Sequence, residues 1–154
     1  MNAAAAPPIL VVEDSPEDFA TIVRALRAAG VEHAIHRCED GDEALEFVAR
    51  RGRHAGAPEP AFVLLDLNLP GSDGREVLAV LKGSPATCHI PVVILTTSDD
   101  ERDVRTSYRA GANGYVRKPV DLASFLETVQ GIGRFWLRTA LLPFGEAGAG
   151  LRQV

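Results

Sequence analysis

Little in this chain points to the extracellular space, the bilayer or nucleic acid. Its two cysteines, Cys38 and Cys88, make no disulfide framework in 154 residues. No apolar run approaches the roughly 20 residues that span a bilayer. The opening "MNAAAAPPIL" has neither the basic segment nor the long apolar region of a secretory signal. Basic residues are outnumbered, 16 Lys and Arg against 21 Asp and Glu. The net charge of −5 argues against the basic face that non-specific nucleic-acid binding needs. A cytoplasmic location is expected. Aromatics make up only 6% of residues, yet the single tryptophan stands among several other large apolar residues near the C-terminus.

What the chain does have is an alternation. Five apolar runs, Ile9–Glu13, His33–Cys38, Phe62–Asp66, Pro91–Thr96 and Gly114–Lys118, are separated by stretches of helical character. Three of the runs are continuously apolar, as in central parallel strands covered on both faces. The run at His33–Cys38 is more mixed and reads as an edge strand. Ser15 as N-cap, Pro16 at the first helical position and Gly30 as stop frame the first helix. Further helices are expected at Asp42–Arg51, Gly74–Lys82 and Asp99–Ala110. The last of these is polar, anchored mainly by Val104 and Tyr108. Strand–helix alternation repeated five times implies a doubly wound α/β sheet with right-handed crossovers. "RGRHAGAPEP" (Arg51–Pro60) reads as a long exposed loop without chemistry of its own.

The final helix carries a stripe of Leu122, Phe125, Leu126, Val129, Ile132, Gly133 and Trp136, with Phe135 off that face. Continued through "RFWLRTALL" to Leu142, it would be roughly 33 Å long and would overhang the sheet. The expected organisation is a disordered N-terminus at 1–7, one domain with a C-terminal helical extension over 8–142, and a flexible tail at 143–154.

In an open parallel sheet, ligands bind at the carboxyl ends of the strands. Glu13 and Asp14, Asp66, Thr96 and Lys118 stand at four of those ends. Singly, each has a plain explanation: Asp14 as a helix cap, Asp66 as a turn-former before Pro70-Gly71, Thr96 as a strand residue, Lys118 as a solvated charge. Jointly they are harder to dismiss. Three close carboxylates repel one another, which a raised pKa or a bound cation relieves. Hard oxygen ligands suit Mg²⁺. A phosphoryl group on Asp66 would engage metal, lysine and hydroxyl together.

The elements "VVEDSPED", "LLDLNLPGSDG", "VVILTT" and "GYVRKP" closely resemble the receiver domain of two-component response regulators, over nearly all of residues 8–135. The resemblance implies a flavodoxin-like five-stranded parallel sheet in the order 2-1-3-4-5, with an extended C-terminal helix. It implies that Asp66 is the phosphoacceptor for a partner histidine kinase. Glu13, Asp14 and Asp66 would hold Mg²⁺ with the backbone carbonyl of Asn68. Lys118 would pair with phosphoryl oxygens, the Lys118–Pro119 bond would be cis, and Thr96 with Tyr115 would form the switch. Thr97 departs from the pattern, which mostly has a small residue there; its bulkier side chain would restrict access to the phosphoryl site.

Such a protein is a phosphoacceptor, not a turnover enzyme on an external substrate. With no second apolar core after the last helix, a stand-alone receiver is expected, its output protein contact or phosphate relay. The cluster Phe135, Trp136, Leu137, Leu141, Leu142 and Phe144 suggests a homodimer, with Phe135, Trp136, Leu137 and Leu141 at its interface. Folding of the tail onto its own domain is the alternative. The Arg51–Pro60 loop and the Trp-Leu…Leu-Pro ending resemble single-domain regulators paired with phytochrome-type photoreceptor kinases, which makes a bacteriophytochrome the expected partner. Other classes fit less well. An FMN site would meet the negative charge of Glu13-Asp14. An aspartyl phosphatase would need an acid where Asn68 stands. A receiver that is never phosphorylated would not need the five site residues.

Overall fold

A computed structural model describes residues 6–143. The expected disordered N-terminus and flexible tail fall mostly outside that range, as does Phe144. Five parallel strands are observed, β1 (Ile9–Val12), β2 (Ile35–Cys38), β3 (Phe62–Leu65), β4 (Val92–Thr96) and β5 (Gly114–Arg117). They lie in the order β2-β1-β3-β4-β5, with β2 at an edge as its mixed composition implied. Helices α1 (Pro16–Ala28), α2 (Gly41–Ala49), α3 (Gly74–Gly83), α4 (Glu101–Arg109) and α5 (Leu122–Arg134) connect and follow them. Among the described residues, no helix is long and apolar enough to cross a membrane.

Alternation along each strand explains why the central runs are apolar throughout. Ile9 and Val11 of β1 face one apolar cluster with Phe62, Leu64, Val93 and Leu95, under α1 and α5. Leu10 and Val12 face the other with Val63, Leu65, Val92 and Ile94, under α2 and α3. Successive side chains point to opposite sides of a sheet, so a strand covered on both faces needs apolar residues at every position.

The helix starts follow local chemistry. The Ser15, Asp40, Asp73, Asp100 and Asp121 side chains each accept a backbone N–H in the first turn of α1 to α5 respectively, satisfying donors that a helix start leaves open. Gly30, at φ +82°, turns the chain out of α1.

Three expectations need correction. Helix α4 buries only Ser107, and Tyr108 is exposed; the anchor role assigned to that tyrosine does not hold. Leu122 is also exposed. Helix α5 does not continue regularly to Leu142. It widens after Arg134 into a π turn over Phe135–Thr139, where the Ala140 N–H reaches the Phe135 carbonyl at 2.7 Å. The wider turn re-aims the side chains, as π turns do. Trp136 packs on Phe62 with ring centroids 5.7 Å apart, as its place on the stripe implied, and Leu137 and Leu142 join the same cluster. Burial of this apolar area, favoured at roughly 25 cal/mol per Å², outweighs a regular last turn.

The Arg51–Pro60 loop is mostly exposed, as expected, but it has local structure. It forms a 3-10 turn at Gly52–His54, and His54 packs on Phe47, centroids 5.3 Å apart.

Candidate functional site

Because all five strands run the same way, their ends share one rim. Backbone hydrogen bonds carry the ladder one residue past the strands. The Asp66 N–H donates to the Val12 carbonyl at 3.1 Å, and the Lys118 N–H to the Thr96 carbonyl at 2.7 Å. Glu13, Asp66 and Lys118 are thus fixed by the sheet itself, and all three are buried, as is Thr96.

The structure brings together most of the residues expected there. Lys118 Nζ lies 2.7 Å from Glu13 Oε1 and 2.9 Å from Asp66 Oδ2. Carboxylate oxygens of Glu13, Asp14 and Asp66 all lie within 4.8 Å of one another, with the Asp14 residue exposed. The Asn68 N–H donates to Asp66 Oδ1 at 3.1 Å, orienting that carboxylate. Its side-chain amide makes a long contact to Thr96 Oγ1 at 3.5 Å.

Burial pushes the Glu13 carboxyl up to about 7, against the hydrogen bond and charge of Lys118. Burial alone would lower the Lys118 pKa, but hydrogen bonds to Glu13 and Asp66 and their charges outweigh it and hold it above the usual lysine value. The rim is an acidic cluster held together by one ammonium. Its all-oxygen donor set fits a hard divalent cation.

Two contributors escaped the sequence reading. Asp18, in the first turn of α1, places Oδ2 2.9 Å from Lys118 Nζ. Arg37 of β2 donates to the Glu13 carbonyl at 3.1 Å and the Asp14 carbonyl at 3.0 Å, pinning the backbone of the acidic pair. An acid in a helix's first turn has an ordinary dipole explanation, and an arginine on an edge strand has an ordinary solvent one, so neither stood out.

Tyr115 is half-buried and packs against the cluster under α2 and α3; it is not a purely exposed edge residue. Its hydroxyl donates to the Ser98 carbonyl at 2.8 Å. Ser98 Oγ donates to Asp103 Oδ2 at 2.6 Å, and the Arg75 guanidinium donates to Asp103 Oδ1 at 2.8 Å. The segment between β4 and α4 is therefore tied to both β5 and α3. Thr97 is exposed. Among the described residues every peptide bond is trans, Lys118–Pro119 included, so the expected cis bond is not formed. Trans is the lower-energy isomer of such bonds by about 0.5–1 kcal/mol.

A five-stranded parallel sheet in the order 2-1-3-4-5 with acids and one buried lysine at its carboxyl rim is the architecture of a receiver-type signalling domain. The chain belongs to the response regulator receiver domain family, which residues 9–130 match. It is 44% identical over 135 residues to the response regulator Rcp1 of Synechocystis sp., covering 88% of this chain and 92% of that protein. The Mn²⁺-bound form of Rcp1 superimposes with a TM-score of 0.88 at 42% identity, over 90% of this chain and all of that one. The phosphorylated cyanobacterial phytochrome response regulator RcpA superimposes with a TM-score of 0.87 at 43% identity, over 91% of this chain and all of its own. The protein is thus a response regulator of two-component signalling.

Proposed function

We propose that Asp66 accepts a phosphoryl group from a histidine kinase, and that this chain signals by the resulting change at Thr96 and Tyr115. The observation that supports this most directly is the buried Asp66 carboxylate at the end of a central strand, 2.9 Å from the Lys118 ammonium. An Asp66 oxygen forms the new O–P bond while the N–P bond of the donor phosphohistidine breaks. The electron pair stays on the imidazole nitrogen, which takes up a proton. The rigid strand matters because in-line attack tolerates little misplacement.

Glu13, Asp14, Asp66 and the Asn68 carbonyl are the groups that would hold Mg²⁺. That ion, when bound, supplies positive charge to neutralise phosphoryl oxygens. Lys118, within hydrogen-bond reach of Glu13, Asp18 and Asp66, is placed to transfer one of its contacts to a phosphoryl oxygen. The Thr96 hydroxyl offers a donor from the neighbouring strand, and Tyr115 follows it by trading its bond to Ser98 for a more buried position. The chain is an acceptor rather than a turnover enzyme, and its place is the cytoplasm with its kinase. Likeness to RcpA and Rcp1 supports a phytochrome-type kinase as that partner.

We also propose a homodimer through α4, β5 and the C-terminal segment, on a narrower surface than Phe135, Trp136, Leu137 and Leu141 together would offer. Phe135 and Leu141 are exposed, whereas Trp136 and Leu137 pack on their own domain.

The acceptor role is tested by incubating the protein with Mg²⁺ and either a small phosphodonor or a phosphorylated phytochrome-type kinase. A base-labile mass gain of one phosphoryl group is expected in the native protein and not in Asp66→Asn. An equal gain in the variant would overturn the assignment.

A further inference from the structure

Away from the acidic rim, a second set of ligating side chains meets against the edge strand. His36 and Cys38 stand two residues apart on β2 and so share one face of the sheet. Glu43 comes from the first turn of α2, where its N–H is held by the Asp40 cap at 2.8 Å. The 3-10 turn Gly52–His54 folds His54 over them, its ring 5.3 Å from that of His36 in an edge-on arrangement. One ligand atom from each of the four lies within 4.8 Å of all the others.

Two details point to a ligand. The His54 side chain is only 11% exposed, and its Nε2 is buried with no hydrogen-bond partner. Leaving such a buried polar atom unsatisfied costs stability. It faces Glu43 Oε1 at 3.4 Å, without hydrogen-bond geometry. The other Glu43 oxygen accepts the Glu39 N–H at 3.1 Å and lies 3.5 Å from Arg53 Nη2. That anchoring holds Oε1 toward the imidazole.

We propose that His36, Cys38, Glu43 and His54 form a tetrahedral site for a borderline-soft divalent cation, for which Zn²⁺ is the best match. One sulfur, two imidazole nitrogens and one carboxylate oxygen suit zinc and not Mg²⁺, which takes oxygen ligands. Zn–N bonds of about 2.0–2.1 Å and a Zn–S bond of about 2.3 Å require the four atoms to draw together by an ångström or so. His54 and Glu43, on a turn and a helix start, supply that movement by rotating their side chains. Burial and the neighbouring His54 lower the His36 pKa, which keeps its imidazole in the neutral, ligating form. The Cys38 thiol is protonated without metal, because burial pushes it up to about 12. Binding therefore forms the S–Zn bond and releases that proton to solvent. The site would clamp the Arg51–Pro60 loop and α2 to the edge strand. It shares no ligand with the rim, although the Cys38 carbonyl accepts the Glu13 N–H at 3.0 Å, one strand away.

The test titrates the full chain, in excess Mg²⁺, with Co²⁺ as a spectroscopic stand-in and then with Zn²⁺. One equivalent of Co²⁺ is expected to give a thiolate-to-cobalt charge-transfer band with tetrahedral d–d absorption, displaced by Zn²⁺. His54→Ala should weaken binding roughly a hundredfold, and Cys38→Ser should abolish the charge-transfer band. If the buried Cys38→Ser variant does not fold, His54→Ala and Glu43→Gln carry the test alone. Asp14→Asn should leave the spectrum unchanged. Absence of the thiolate band, unchanged affinity in His54→Ala, or loss of binding in Asp14→Asn would each overturn the proposal.

Discussion

At the scale of single residues, the rim is a problem in charge that the chain solves only in part. Glu13 is lifted from 4.5 to about 7 chiefly by burial. A carboxyl whose folded pKa is raised adds stability that is complete below its unfolded value and is lost as pH climbs through the folded value. In EDTA, the stability of the native protein relative to Glu13→Gln should therefore fall by up to about 3 kcal/mol between pH 4.5 and pH 8. Urea unfolding of both proteins at the two pH values checks this; an unchanged difference would refute it. Added Mg²⁺ at pH 8 should recover the loss, since a cation favours the ionised form. Glu13, Asp66, Thr96 and Lys118 were legible in the sequence because each ends an apolar run, a position where a polar residue needs a reason. Asp18 and Arg37 were not, because the position of each has a bland local account. His54 was hidden for a related reason: its loop has no hydrophobic period to say which side chain turns inward.

At the scale of elements, the strands were the most legible part. Continuous β-branched and leucine runs have few other uses in a chain this polar elsewhere, and the helix starts lie within two residues of the positions expected for them. The C-terminal helix was misread because a π turn has no compositional signature; its residues read equally well as α-helix. Helix α4 presents the opposite case, a helix with little apolar anchoring held by polar ties. Arg75 bonds Asp103 in the first turn of α4, and Asp103 bonds Ser98 ahead of it. The Ser98 and Arg75 hydrogen bonds hold the Asp103 carboxyl below its usual range. These groups are partly exposed, so their loss should cost no more than about 1 kcal/mol globally. Arg75→Ala is nonetheless expected to speed amide hydrogen exchange in α4 and the segment before it, with β1 and β3 unchanged. Uniform exchange across the molecule would show that the ties do not localise there.

At the scale of the whole molecule, the C-terminal segment divides its apolar residues between two tasks. Trp136 covers Phe62, and truncating it should destabilise the chain by about 2–3 kcal/mol. Leu141 is 73% exposed, so within a single chain Leu141→Ser should change stability by less than about 0.5 kcal/mol. If the exposed residues serve a homodimer, light scattering at low micromolar concentration should give twice the chain mass for the native protein and less for Leu141→Ser. A strict monomer in the native protein would remove the dimer. The sorting of alternate strand residues into two apolar clusters also bears on how such a chain drifts over generations. A change at Phe47 can be compensated by neighbours on its own side, such as Leu10, Val12 or Leu78, but not by Ile9 or Val11. A change at Phe62 is answered among Ile22, Val129 and Trp136. The sheet backbone insulates the two sides, so substitutions should covary within each side and remain nearly independent across it.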